Sequence, residues 1–122
     1  MKTKLTYKQS TELIDVGAPR EKATGKGYFE GVAGYYSTFT LADLLEILPK
    51  EIMFDKEHGL DFGWDFYANK WYARYSDEDS LCVYENAWYI EDELIDALYQ
   101  LACWYYKTKR KFIFSHNENK TY

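Results

Sequence analysis

Apolar positions along the chain recur at three and four, then at two, then at three and four again, and this succession predicts the order of its elements. Thr6 and Gln9 stand three apart, as a capping box requires, and Leu13 and Ile14 follow on one face. With Gly17 placed to supply a left-handed terminating residue, the spacing predicts a helix over 7–16. Pro19 suits the first position of a further turn reaching Thr24. Four glycines then fall within residues 25–34, a composition that predicts a mobile loop rather than a helix or strand. The next helix, over 40–48, has the best-marked start. Thr40 caps it, Asp43 follows three residues on, and Phe39 can staple against Leu44. Leu41, Leu44, Leu45 and Leu48 line one side, and Pro49 closes the run.

From Leu60 the period is two. Leu60, Phe62, Trp64 and Phe66 alternate with Asp61, Gly63, Asp65 and Tyr67; after a turn at Ala68-Asn69-Lys70, Trp71, Ala73 and Tyr75 alternate with Tyr72, Arg74 and Ser76. Residues 76–80 read as a polar loop and 81–84 as a third strand. Ile52-Met53-Phe54 can add a fourth, with His58-Gly59 at the turn between. Connections this short imply an antiparallel meander. Phe62, Trp64 and Phe66 are expected in the core, and Tyr67, Tyr72 and Tyr84 on the opposite face with Arg74. The last helix is predicted over 91–109, where Leu94, Ile95, Leu98, Leu101, Ala102 and Tyr105 form one broad apolar face. Phe112-Ile113-Phe114 either docks as a short strand or caps the core. The expected fold is α+β: a three- to four-stranded antiparallel sheet with about three helices packed on one face. It forms a single domain over 1–114, with a flexible polar tail over 115–122.

Composition changes this picture in two respects. The 122 residues suit one domain, and 47% hydrophobic with 29% charged residues is globular composition. Aromatic content, however, reaches 20%, with 13 tyrosines, and the net charge is −5. The charge is uneven: +1 over residues 1–50, −10 over 51–106 and +4 over 107–122. Glu91, Asp92 and Glu93 at the start of the last helix and Lys107, Lys109 and Arg110 at its end complement the helix dipole, which accounts for much of the asymmetry. No apolar run approaches the ~20 residues of a membrane span. The start of the chain has no apolar stretch of signal-peptide type, and two cysteines, Cys82 and Cys103, make no disulfide framework. A reduced, cytoplasmic setting is therefore expected.

Catalytic chemistry is poorly represented. The two histidines, His58 beside a glycine and His116 near the end, have no recognisable nucleophile or metal-ligand partner at the usual spacings. Gly25, Gly27 and Gly31 read GxGxxxG, one residue off the dinucleotide fingerprint and without its preceding strand. Asp77, Glu78 and Asp79 do not have the ligand spacing of a calcium loop. An enzyme is not expected, and neither is a cofactor or metal. The acidic body disfavours nucleic acid as a partner. The positive signal is aromatic. Tyrosine combines a rigid apolar body with a polar tip, which suits protein interfaces and planar ligands. The candidate binding residues are Tyr67, Tyr72, Arg74 and Tyr84, with Tyr35 and Tyr36 from the glycine-rich segment.

Several stretches carry a resemblance. Gln9-Ser10-x-x-Leu13-Ile14-x-x-Gly17, the run Phe39-Thr40-Leu41 through Leu48-Pro49-Lys50-Glu51-Ile52, the Trp/Tyr-rich centre and Glu93-Leu94-Ile95-Asp96-Ala97-Leu98-Tyr99-Gln100-Leu101-x-x-Trp104 resemble small uncharacterised proteins encoded by phages and mobile elements of gut Bacteroidales. The similarity runs from Leu5 to about Tyr106. It implies a cytoplasmic protein of a bacterial host and an interaction or counter-defence role. The expected function is thus a non-enzymatic protein-binding module using an aromatic sheet face, its partner a host or phage protein or a second copy. The alternative is a protein that binds or sequesters a small planar ligand such as a nucleotide.

Overall fold

The structure, a computed structural model, describes residues 1–28, 35–53, 57–77 and 83–119. The first helix, α1 (Tyr7–Asp15), starts at the expected box: Gln9 N donates to Thr6 Oγ1 at 3.1 Å while Thr6 N donates to Gln9 Oε1 at 3.0 Å. Gly17, at φ +122°, ends it and lets Ala18 N reach back to Leu13 O at 3.1 Å. Pro19 precedes a single 3-10 turn, Arg20–Lys22. Helix α2 (Leu41–Ile47) repeats the capping box with Thr40 and Asp43.

The glycine-rich segment departs from expectation. Residues Gly25–Tyr28 form β1 and pair antiparallel with β2 (Tyr35–Thr38) in a two-stranded sheet; the expected loop from 29 to 34 lies outside the described residues. The glycines belong to a strand because its neighbours press on it. A Cβ on Gly25 would come within 2.9 Å of both the Thr38 carbonyl oxygen and Thr40 Cγ2. Gly27 faces Tyr36 across the ladder, and its Cβ would come within 2.3 Å of the Tyr36 ring. Glycine is therefore a steric requirement at Gly25, where backbone stands in the way, whereas a side chain at Gly27 would have to displace the end of the Tyr36 ring. Gly25→Ala is expected to cost about 1–3 kcal/mol through overpacking against backbone. Gly63→Ala, whose new carbon would sit at an ordinary 3.4 Å or more from Tyr72, should be close to neutral. Equilibrium urea unfolding of the two variants measures the contrast.

The main sheet is a four-stranded antiparallel meander of β3 (Glu51–Met53), β4 (Glu57–Asp65), β5 (Lys70–Ser76) and β6 (Val83–Glu91), in that order across the sheet. The fourth strand expected at Ile52-Met53-Phe54 is present as β3, with Phe54 outside the described residues. His58 and Gly59 are not a turn: they lie inside β4 opposite Ile52 and Glu51, and His58 is buried. The third strand, expected over 81–84, is described from Val83, residues 81 and 82 lying outside the described set, and it continues to Glu91, with inward Ala87 and Tyr89 alternating with outward Trp88 and Ile90. Glu91 accordingly belongs to β6.

The final helix, α3 (Leu94–Asn119), has 26 residues and so spans about 39 Å. It takes in the Phe112–Phe114 segment and extends into the residues expected as a tail. Its buried Ile95, Ala97, Leu98, Leu101 and Ala102 lie in the centre of the core. α3 packs directly on β5 and β6, and α1 and α2 pack on α3. Among the described helices, α3 alone therefore forms an extensive contact with the meander. The chain's start clasps this helix: Lys2 Nζ meets Asp96 Oδ1 at 2.7 Å, Gln9 Nε2 donates to the same oxygen at 3.0 Å, and Lys2 N donates to Glu93 Oε2 at 3.1 Å.

Because α3 covers β5 and β6, the far half of β4 is left partly open. Phe62 and Trp64 share the inward face with Leu60, but they remain 40% and 38% exposed. Phe66 leaves the strand altogether. Asp65 Oδ1 accepts from Tyr67 N at 2.9 Å and Ala68 N at 3.1 Å, and Asn69 at φ 56° completes the turn. The expectation of Phe62, Trp64 and Phe66 as core is therefore corrected, most clearly for Phe66, which is 87% exposed.

Candidate functional site

The six candidate residues fall in separate places. Tyr72 and Arg74 stand two apart on β5, so strand alternation sends both to the face of the meander opposite α3. Tyr67 is fully exposed at the tip of the β4–β5 hairpin. Tyr36 is in β2, on the separate two-stranded sheet. Tyr35 and Tyr84 belong to β2 and β6, but their side chains lie outside the described set.

Around Tyr72 and Arg74 the register assembles a compact group. Asp61 is directly opposite Arg74, Gly63 is opposite Tyr72, and on the other side Trp88 and Ile90 face Arg74 and Tyr72. Arg74 Nε donates to Asp61 Oδ2 at 2.8 Å, and the Tyr72 hydroxyl donates to Asp61 Oδ1 at 3.2 Å. The Arg74 guanidinium carbon lies 5.2 Å from the Tyr72 ring centre and 5.5 Å from that of Trp88. One carboxylate and two aromatic rings thus fix one cation. That geometry combines cation–π attraction with a charge-assisted hydrogen bond. Burial, and after it the charge and hydrogen bond of Asp61, raise the Tyr72 phenol above its ordinary value, so it remains a donor through the physiological range.

The Tyr72 ring lies beside Gly63 on the neighbouring strand, its hydroxyl 3.4 Å from where a Cβ would stand, an ordinary contact distance. The cross-strand Gly27–Tyr36 pair in the smaller sheet is closer, at 2.3 Å. Apolar surface stays exposed beside the cation: Trp88 is 48% and Ile90 40% accessible. Next to Asp61, on the same face, is a depression of about 230 Å³ lined by Glu51, Glu57, Asp61, Ser76 and Asp77, with Gly59 and Leu60. Among the described residues, no group of three or more His, Cys, Asp or Glu side chains is placed to hold a metal ion.

Sequence reading identified Tyr72 and Arg74 but missed Asp61, Trp88 and Ile90. The alternation of Asp61 with Leu60 and Phe62 already placed Asp61 on the outward face. Trp88 and Ile90 were hidden by a β6 boundary set too early. His58 is buried beside the core, and the Cys103 thiol is pushed up by burial, a setting for a packed rather than a reactive thiol. No helix among the described residues is long and apolar enough to cross a membrane. No protein family, curated protein or solved structure matches this chain.

Proposed function

We propose that this chain is a non-enzymatic protein-binding module of the bacterial cytoplasm, and that its contact surface is the open face of the meander. The observation that carries the reading is the Tyr72–Arg74–Trp88 group: a cation fixed between two rings, with exposed Trp88 and Ile90 beside it, on a sheet face that α3 does not cover. Tryptophan, tyrosine and arginine are the residue types that dominate binding energy at protein interfaces. Their restraint before binding lowers the entropy cost of association. The adjoining depression contributes four carboxylates, so the face suits a partner segment that brings an apolar side chain to Trp88 and a basic one to Glu51, Glu57 and Asp77. The resemblance to phage-encoded accessory proteins agrees with a role exercised through binding, including counter-defence.

The test compares the wild-type protein with Arg74→Ala and Trp88→Ala in affinity capture from bacterial lysate, followed by titration with the captured partner. Each variant is expected to weaken association about 30-fold or more, the effect of losing a hot-spot side chain. Phe66→Ala, at the hairpin tip, should leave it unchanged. Unaltered affinity in both sheet-face variants, with their folding verified by circular dichroism, would exclude this surface.

A further inference from the structure

The molecule carries a second cleft, opposite in character to the acidic depression. It occupies about 280 Å³ between α1 and the β1–β2 hairpin, and among the described residues no carboxylate lines it. Tyr7 and Tyr36 form its aromatic side, Thr11 and Ser37 bring hydroxyls, and Arg20 brings a positive charge. Arg20 takes part in none of the ion pairs formed among the described residues. Its backbone is nevertheless fixed, because it opens the 3-10 turn in which Ala23 N donates to Arg20 O at 3.1 Å.

The walls are set before any ligand arrives. Tyr36 lies across Gly27, and the Tyr7 ring meets it edge-on, centres 5.0 Å apart and planes at 70°. Beneath them Ser10 is buried and fully committed. It accepts from Phe39 N at 3.3 Å; since the Thr38 hydroxyl donates to Leu5 O, Ser10 must donate to Thr38 Oγ1, at 2.7 Å. That relay ties α1 to β2 at the floor of the cleft. A guanidinium that shares a cleft with two aromatic rings and two hydroxyls is complementary to a planar group bearing a phosphate or carboxylate. The volume lies at the lower limit of small-molecule sites, enough for one ring system and one anionic group.

We propose that this cleft binds a mononucleotide-sized planar anion, with its ring against Tyr7 and Tyr36 and its anionic group on Arg20. The site shares no residue with the sheet-face group, so it stands or falls independently of the protein-binding reading.

Isotope-labelled protein titrated with AMP, UMP, adenosine and inorganic phosphate, followed by amide NMR, tests this. AMP or UMP is expected to shift the amides of Thr11, Tyr36 and Ser37. Adenosine and phosphate should each bind about tenfold or more weakly than the mononucleotide, since each makes only part of the contact. Arg20→Gln, a change at an exposed side chain, should weaken mononucleotide binding by a similar factor while shifting the free protein's amides only near residue 20. No shift with any of the four probes, shifts confined to the Tyr72–Trp88 face, phosphate binding as tightly as AMP, or unchanged affinity in Arg20→Gln would each overturn the proposal.

Discussion

Tyr75→Ala is expected to destabilise the protein by about 3–5 kcal/mol, as for other large aromatic truncations in cores. Tyr75 is fully buried on β5 beneath α3; its ring centre lies 6.0 Å from that of Trp104, and its hydroxyl donates to Pro49 O at 2.7 Å. The side chain therefore joins the meander both to the last helix and to the end of α2. A loss of that size is a large fraction of the ~5–15 kcal/mol that holds a domain folded. Tyr75→Phe keeps the ring and removes only the donor to Pro49, and should cost about 1 kcal/mol. Urea unfolding of both variants separates the contributions. Equal losses would show that the hydroxyl, rather than the ring, accounts for the stability.

Asp43→Ala is expected to cost about 3 kcal/mol, although the residue is on the short helix α2 rather than in the sheet. The carboxylate is buried and accepts from Thr40 N at 2.9 Å, Thr24 N at 2.9 Å and Thr24 Oγ1 at 2.7 Å. Removing it strands two backbone donors and frees the connection before β1 from α2. Burial alone would raise the acid's pKa, but the hydrogen bonds from Thr40 and Thr24 outweigh it and hold the group below the ordinary aspartate value. The folded form thus favours the ionised acid. The resulting stabilisation is fully present above about pH 4 and is lost as pH falls through the lower, folded-state value. Unfolding curves at pH 6 and pH 3 should therefore show a smaller wild-type-to-Asp43→Ala difference at the lower pH. A pH-independent difference would mean that packing, not the charged hydrogen bonds, is what the variant loses.

How far the sequence could be read depends on whether the information was local. The capping boxes at Thr6–Gln9 and Thr40–Asp43 are local and appear with the expected partners. So is the alternation of β4 and β5, which placed Tyr72 and Arg74 on one face. The errors arise where a distant neighbour decides. Gly25 and Gly27 suggest flexibility in isolation, yet Thr38 and Tyr36 across the ladder make them strand residues. Phe62 and Trp64 have the parity of core residues, but whether a helix covers that end of β4 depends on where α3 crosses the sheet. Of the sheet-face group, Tyr72 and Arg74 were legible from spacing, Asp61 was available from the same alternation, and Trp88 and Ile90 required the pairing of β6.

The clasp between the start of the chain and α3 has a further consequence for biosynthesis. The meander's strands pair with sequence neighbours, whereas Lys2, Gln9 and Glu12 find Glu93, Asp96 and Tyr99 across separations of 87 to 94 residues. On a ribosome, α1, the β1–β2 hairpin and α2 emerge before the helix on which α1 and α2 pack. The faces of α1 and α2 that meet α3 stay uncovered until the meander and α3 have also been made, so this part of the nascent chain is the one expected to need a chaperone.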